Sequence, residues 1–388
     1  MPKSIYTVAA LPGDGIGPEV VASTLKVLDR LTPVYNLAIK YTHYDFGAAA
    51  YQRTGARISA TEMDEIGTHD AVLLGAMGLP GIRMPNGTEV APQIDLRNHF
   101  GLFASLRHTR LFEGVPTRLK AENVDILVIR ETTEGMFAGI YDEVETSDQS
   151  MSDRMTITRK TSEKLFEVAF AQARLRKAKG LPGHVTLLHK SNVLRSNGLL
   201  VKVFKEVAAR YPDCGSADFY VDAGAMFFVT RPEIYDVVVT ENIFGDIVSE
   251  VAAGIVGGLG VAPSGDVSEE HGVFQPCHGS APDIAGQGVA NPVATWLSAA
   301  MMLDWLGVRH KDTKCIDAAQ HLRNAVERQL AEGPRTRDIG GIAKTNEVTQ
   351  ALLLAIDGEG LKGTERRKYS LRRTILHSVR PKQMKLIN

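Results

Sequence analysis

Asp246 and Glu250 are the first residues to weigh, because they stand four apart in the stretch Thr240–Glu250, TENIFGDIVSE. On a helix that spacing stacks both carboxylates on one face, where they repel by about 0.2–0.5 kcal/mol when exposed. A positive group is expected between them. Oxygen-only donors point to Mg2+ or Mn2+ rather than zinc. On spacing alone, a solvated acidic face is the plain alternative. Arg97, Arg107 and Arg130 fall near loop or strand ends. Each taken singly is an ordinary surface residue. Together they would make a clamp for a substrate with two or three carboxylates, since a planar guanidinium binds a carboxylate through two parallel hydrogen bonds. Lys190 ends an apolar run, HVTLLHK, at the edge where ligands gather in open α/β sheets.

The elements that must position these groups follow from periodicity. Apolar runs predict strands at Ile5–Leu11, Asp70–Ala76, Asp125–Arg130, His184–Lys190, Phe219–Val221 and Tyr235–Val239. Amphipathic patterns predict helices starting near Glu19 behind Pro18, and over Thr161–Lys179, Asn197–Tyr211, Asn291–Leu306, Cys315–Ala331 and Thr345–Ile356. A further helix is expected from Asn242, with Asn242 itself as its N-cap. Alternation of strand and helix indicates a mainly parallel α/β sheet. The loop Pro12–Pro18, PGDGIGP, reads as a tight turn or as a place where a phosphate approaches backbone. It is neither GxGxxG nor a P-loop. Residues 131–160 read as a strand-rich arm.

The 388 residues carry a formal net charge of −1, are 44% hydrophobic and 23% charged, and include three scattered cysteines. That composition suits a soluble globular chain of two lobes. No global basic field points to nucleic acid, and no apolar run is long enough for a membrane span. With no signal-peptide pattern and no cysteine framework, a reducing cytoplasm is the expectation. Residues 361–388 are strongly basic and are expected to be poorly ordered.

Eight segments, in order, resemble the β-decarboxylating dehydrogenases acting on isocitrate, 3-isopropylmalate, homoisocitrate and tartrate or D-malate. They are LPGDGIGPEV (11–20), LRNHFGLFASLR (96–107), VIRETTEG (128–135), HKSNVL (189–194), YVDAGAM (220–226), TENIFGDIVSE (240–250), HGSAPDIAGQGVANP (278–292) and RTRDIGG (335–341). The resemblance implies an α/β isopropylmalate-dehydrogenase-like two-domain fold that is not a Rossmann fold. A large cofactor-binding domain would comprise 1–100 and 255–360. A small dimerisation domain would comprise 101–254, with a clasp arm near 135–158. The active site would lie between them and be shared across a homodimer. Arg97, Arg107 and Arg130 would bind the substrate carboxylates. Lys190 and Asp222 would enter from the neighbouring subunit as catalytic groups, and Asp222, Asp246 and Glu250 would hold the divalent metal. His278, Gly279, Ser280, Ala281, Pro282, Asp283, Ile284 and Asn291 would hold the dinucleotide. Asp283 stands where an acid selects NAD over NADP by accepting from both ribose hydroxyls.

The sequence also departs from that family. Phe137 stands where the catalytic tyrosine is expected, Glu250 where an aspartate is, and Gln275 where a glutamate is common. Val90, Ala91, Gln93 and Ile94 match neither the isopropylmalate nor the isocitrate specificity pattern. The expectation is NAD-dependent oxidative decarboxylation of a 3-substituted malate. A non-catalytic regulatory homologue that has lost the tyrosine is the alternative. Trp296, Trp305, Met301 and Met302 read as core, and Cys277 as a packed thiol.

Overall fold

The computed structural model describes residues 2–85, 87–119, 121, 123–137 and 149–358. Residues 138–148 of the expected arm and all of the basic tail lie outside these residues.

The first third of the chain forms β1 (Tyr6–Leu11), α1 (Gly17–Leu31), β2 (Ile39–His43), α2 (Ala48–Thr54), α3 (Ala60–Gly67), β3 (Ala71–Leu74), α4 (Pro92–His99) and β4 (Ala104–Arg110). The middle forms β5 (Asp125–Glu131), α5 (Arg159–Ala178), β6 (His184–His189), α6 (Arg195–Ala208), β7 (Gly215–Tyr220), α7 (Val221–Thr230), β8 (Val237–Thr240) and α8 (Asn242–Ile255). The last part forms β9 (Pro263–Val267), β10 (Gly272–Pro276), α9 (Val293–His310), α10 (Thr313–Glu332) and α11 (Thr345–Asp357).

All the named strands join one sheet in the order β2-β1-β3-β10-β9-β4-β5-β8-β6-β7. The pairings are parallel except around β9 and β4, where β10–β9, β9–β4 and β4–β5 are antiparallel. The sheet thus divides in sequence as well as in space. Strands from residues 6–74 and 263–276 form one half, and strands from 104–240 form the other. Buried parallel strands carry continuous apolar runs, which is why β3 (AVLL) and most of β8 (VVVT) were legible. Trp296 and Met302 are fully buried in α9, with Met301 and Trp305 packed against the same core.

Four strands escape sequence reading. β9 is PSGDV, with scarcely a β-former before its last residue, yet it is buried along its whole length between β10 and β4. β2, β4 and β10 are also tertiary products. The expected strand Tyr235–Val239 begins instead at Val237, and Asp222 follows the strand β7 as expected but stands in the first turn of an unforeseen helix, α7. In the expected arm, Gly135 bridges Thr156 in antiparallel fashion.

The loop 12–18 is a tight turn. A Cβ on Gly15 would meet the Ser280 carbonyl oxygen at 1.9 Å, and one on Gly13 the Ala76 oxygen at 2.2 Å. Asp14, 2% exposed, fixes this turn. Its carboxylate accepts from the backbone N–H of Ala48 (2.8 Å) and Ala49 (2.9 Å), at the start of α2, and from that of Gly78 (2.8 Å). Asp14→Ala strands one buried and two part-buried backbone donors, so it is expected to cost roughly 2–4 kcal/mol. A urea titration showing less than about 1 kcal/mol would remove this role.

Candidate functional site

The parallel strands β5, β8, β6 and β7 end at one sheet edge, and the candidate residues follow those ends. β8 delivers α8. The N-cap is Glu241 rather than the expected Asn242: the Glu241 carboxylate accepts from the N–H groups of Ile243 (3.2 Å) and Phe244 (3.0 Å). A carboxylate suits that position because it also faces the positive end of the helix dipole. Asn242 is thereby freed for another task. Its Oδ1 accepts from Arg130 Nε (3.1 Å) and Nη2 (2.8 Å), and its Nδ2 donates to the Glu134 carbonyl (2.8 Å). Gly245 lets α8 approach β5, since a Cβ there would lie 2.6 Å from Arg130 Cβ.

Asp246 and Glu250 do share a face of α8, and the positive group expected between them is a guanidinium. Arg107 Nη2 is 3.4 Å from Asp246 and Arg107 Nη1 is 3.6 Å from Glu250. Arg107 also donates to Ser249 Oγ at 2.8 Å, and Arg130 pairs with Asp246. Burial, with Arg107 and Arg97 alongside, pushes the Arg130 pKa down. Burial pushes the Glu250 carboxyl up; Arg107 opposes this and Asp246 adds to it. Arg97 joins through an acid that the sequence reading missed. Asp266 on β9, 1% exposed, accepts from Arg97 Nε at 2.8 Å and from Gln275 Nε2 at 3.3 Å. Gln93, on the same helix as Arg97, has a buried Oε1 without a hydrogen-bond partner, and so does the Arg107 Nε.

Lys190 and Asp222 meet each other at 2.9 Å, with Asp222 exposed. Lys190 holds the Asp222 carboxyl below its ordinary range, against a small opposing effect of burial. This pair does not touch Asp246 or Glu250, and among the described residues of one chain no three His, Cys, Asp or Glu groups converge as a metal would need.

The loop 278–288 packs against the turn 12–18, with Ile16 N–H donating to the Ser280 carbonyl at 2.8 Å and Ser280 Oγ donating to Gly78 O at 2.5 Å. His278 Nε2 is buried without a partner, and burial pushes its pKa down, so the ring is neutral. Gly279, Gly286 and Gly288 have open space beside them, and Pro282 and Asp283 are exposed. Ala281 and Ile284 instead pack against Ile16, Val20 and Ala290. Asn291 is 6% exposed, and its Nδ2 is bonded to Asp338 at 2.8 Å.

A family model described as isocitrate/isopropylmalate dehydrogenase matches residues 7–352. The chain belongs to the isocitrate/isopropylmalate dehydrogenase family. It is 40% identical over 347 residues to the 3-isopropylmalate/3-methylmalate dehydrogenase of Methanocaldococcus jannaschii, covering 89% of this chain and 97% of that one. It is also 40% identical over 363 residues to the 3-isopropylmalate dehydrogenase of Thermobifida fusca, covering 91% and 98%. Among solved structures it resembles the isocitrate dehydrogenase of Methylococcus capsulatus, with a TM-score of 0.79 at 32% identity and coverage of 90% and 99%. A β-decarboxylating dehydrogenase from Thermococcus kodakarensis gives a TM-score of 0.74 at 32% identity and coverage of 92% and 100%. The fold and the class expected from the motifs, an oxidoreductase of the decarboxylating type, therefore stand.

In this dehydrogenase Phe137 occupies the site rim. Its ring lies 5.3 Å from the Arg130 guanidinium carbon and is 45% exposed. It offers a cation–π contact and no proton. Cys277 lies close enough to Arg107 and Glu250 to feel both, but burial raises its thiol pKa, which suits a packed and inert group. Tyr141, a phenol near Phe137 in sequence, falls outside the described residues. Among the described residues no helix is long and apolar enough to cross a membrane.

Proposed function

We propose that this chain catalyses NAD-dependent oxidative decarboxylation of a malate whose C3 carries an uncharged substituent or hydrogen, such as 3-isopropylmalate or D-malate, with Mg2+ or Mn2+. What supports this reading is one charge cluster in which Arg107 faces Asp246 and Glu250, Arg130 pairs with Asp246, and Arg97 pairs with Asp266. Two partly exposed carboxylates, with the Glu250 pKa already raised, fit a hard cation that would bring the charge now supplied by Arg107. The orphaned His278 Nε2 and the open space beside the loop glycines fit a dinucleotide along residues 278–284, with Asp283 as ribose acceptor. Asn291 would act there indirectly, by holding Asp338.

Held along residues 278–284, a nicotinamide dinucleotide would supply a hydride acceptor for C2, and a cation held by Asp246 and Glu250 would supply charge stabilisation for oxidation and loss of CO2. The arginines orient the C1 and C4 carboxylates. Lys190 Nζ takes the proton of the C2 hydroxyl and Asp222 orients the amine. Because Phe137 has no hydroxyl, the proton that C3 gains comes from Lys190 or water. Lys190 and Asp222 belong to a neighbouring subunit in this reading. Exposed Met226, Val229 and Ile247 on α7 and α8 supply an apolar face for such a homodimer. In this reading the large domain, 1–100 and 255–360, takes one half of the sheet and the small domain, 101–254, the other. A non-catalytic role is not favoured while the lysine, the acids and the arginines are all kept. A cytoplasmic location and the absence of a nucleic-acid partner accord with the near-neutral charge.

The test is NADH formation by the purified full chain with Mn2+, over 3-alkylmalates, D-malate, tartrate and isocitrate. Turnover is expected with the uncharged 3-substituted malates and is expected to vanish with chelator. Absence of NADH from every substrate, or isocitrate as the best one, sinks the proposal.

A further inference from the structure

Asp266 is a buried acid set inside a cluster of cations that the mechanism needs for substrate carboxylates. It faces Ser105 across the β4–β9 ladder and Val273 across β9–β10, so the backbone holds it from both sides. Its Oδ2 takes Arg97 Nε at 2.8 Å and Gln275 Nε2 at 3.3 Å. Its Oδ1 is buried with no hydrogen-bond partner, as is the Ser105 hydroxyl. Burial alone would raise its pKa, but Arg97, with Arg107 behind it, holds the carboxyl below the ordinary range. At neutral pH it is therefore a fixed negative charge.

Charge counting gives this a meaning. Arg97, Arg107 and Arg130 supply three positive charges. Asp246 and Glu250 face Arg107 and Arg130, or the proposed cation when it is bound, and Asp266 offsets the charge of Arg97 in either state. A clamp without Asp266 would hold a spare cation beside Arg97, able to take a third carboxylate. With Asp266 in place, Arg97 keeps only its outer Nη edge for substrate, and a third carboxylate meets a buried like charge. Such a charge is costly to approach because little water screens it.

We infer that Asp266 is a specificity-determining residue: paired with Arg97, it selects malates whose C3 substituent is uncharged and rejects those with a third carboxylate. This rests on the substrate class proposed above and names the residue that enforces it. Gln275 belongs to the same device, since an acid at 275 would repel Asp266 whereas the amide donates to it.

The probes are 3-isopropylmalate and isocitrate, whose isopropyl and carboxymethyl groups are similar in size and differ by one charge. Their affinities for the full chain with Mn2+ are measured by calorimetry, independently of turnover. The wild-type chain is expected to bind 3-isopropylmalate at least roughly tenfold more tightly than isocitrate. Asp266→Asn is expected to narrow that ratio by roughly tenfold or more. A merely structural Asp266 would weaken both ligands together and leave the ratio fixed, which would overturn the inference. Equal or tighter isocitrate binding by the wild type would overturn it as well, and decides the matter if neither Asp266→Asn nor Asp266→Ser folds. A chain that makes no NADH yet shows the binding ratio and its collapse in Asp266→Asn would refute the catalytic proposal and retain this one.

Discussion

Two inactive variants, Lys190→Met and Asp246→Asn, are expected to regain activity when mixed. Each alone should lose at least about 10³-fold in kcat, since one lacks the proposed base and the other a proposed metal ligand. Lys190 and Asp222 pair with each other and not with the acids of α8 in the same chain. If sites are built across a twofold interface, a mixed dimer carries both lesions in one site and neither in the other. Random exchange then restores roughly a quarter of the wild-type sites. Subunit exchange is verified by mass, and NADH formation is the readout. No recovery after complete exchange would end the shared-site reading.

The second large effect is on stability. Arg176→Met is expected to lower the unfolding free energy by about 3–5 kcal/mol, because it leaves the buried Asp236 carboxylate without its cation. Arg176 Nε donates to Asp236 Oδ1 at 2.5 Å, Nη1 to Asp125 Oδ1 at 2.9 Å and Nη2 to the Asp125 carbonyl at 2.6 Å. Asp236 Oδ2 accepts from His184 N–H at 2.9 Å. One arginine on α5 thus ties the ends of β5, β6 and β8. A urea titration that gave a loss under about 1 kcal/mol would refute this. The pH dependence has a definite sign. Burial would raise the Asp125 carboxyl, but His108 and Arg176 outweigh it and depress it far below the usual range. A depressed carboxylate stabilises the fold fully above its unfolded pKa and loses that contribution as pH falls towards the folded one. The wild type should therefore weaken below the ordinary carboxylate range, and Arg176→Met should do so less steeply.

The chemistry-bearing segments were legible because each is local. The strand before Lys190, the i,i+4 acids and the loop 278–288 announce themselves through apolar runs, spacing and small residues. The Asn242 expectation failed for a physical reason. Asparagine and glutamate can both cap a helix, and only the position of Arg130 shows which of them is needed elsewhere. Asp266 was invisible in PSGDV, a stretch that lacks strand-forming side chains until its last position. It becomes a buried strand only because β10 and β4 flank it.

The sequence by itself determined the family, the parallel α/β architecture and the inventory of reactive groups, since those depend on residue type and short-range spacing. Tertiary structure alone decided how they pair. It put Arg107 between Asp246 and Glu250, set Asp266 against Arg97, and left Lys190 with Asp222 apart from the other acids. Pairings of this kind join residues up to 169 positions apart. They depend on sheet order and burial, which no local pattern encodes.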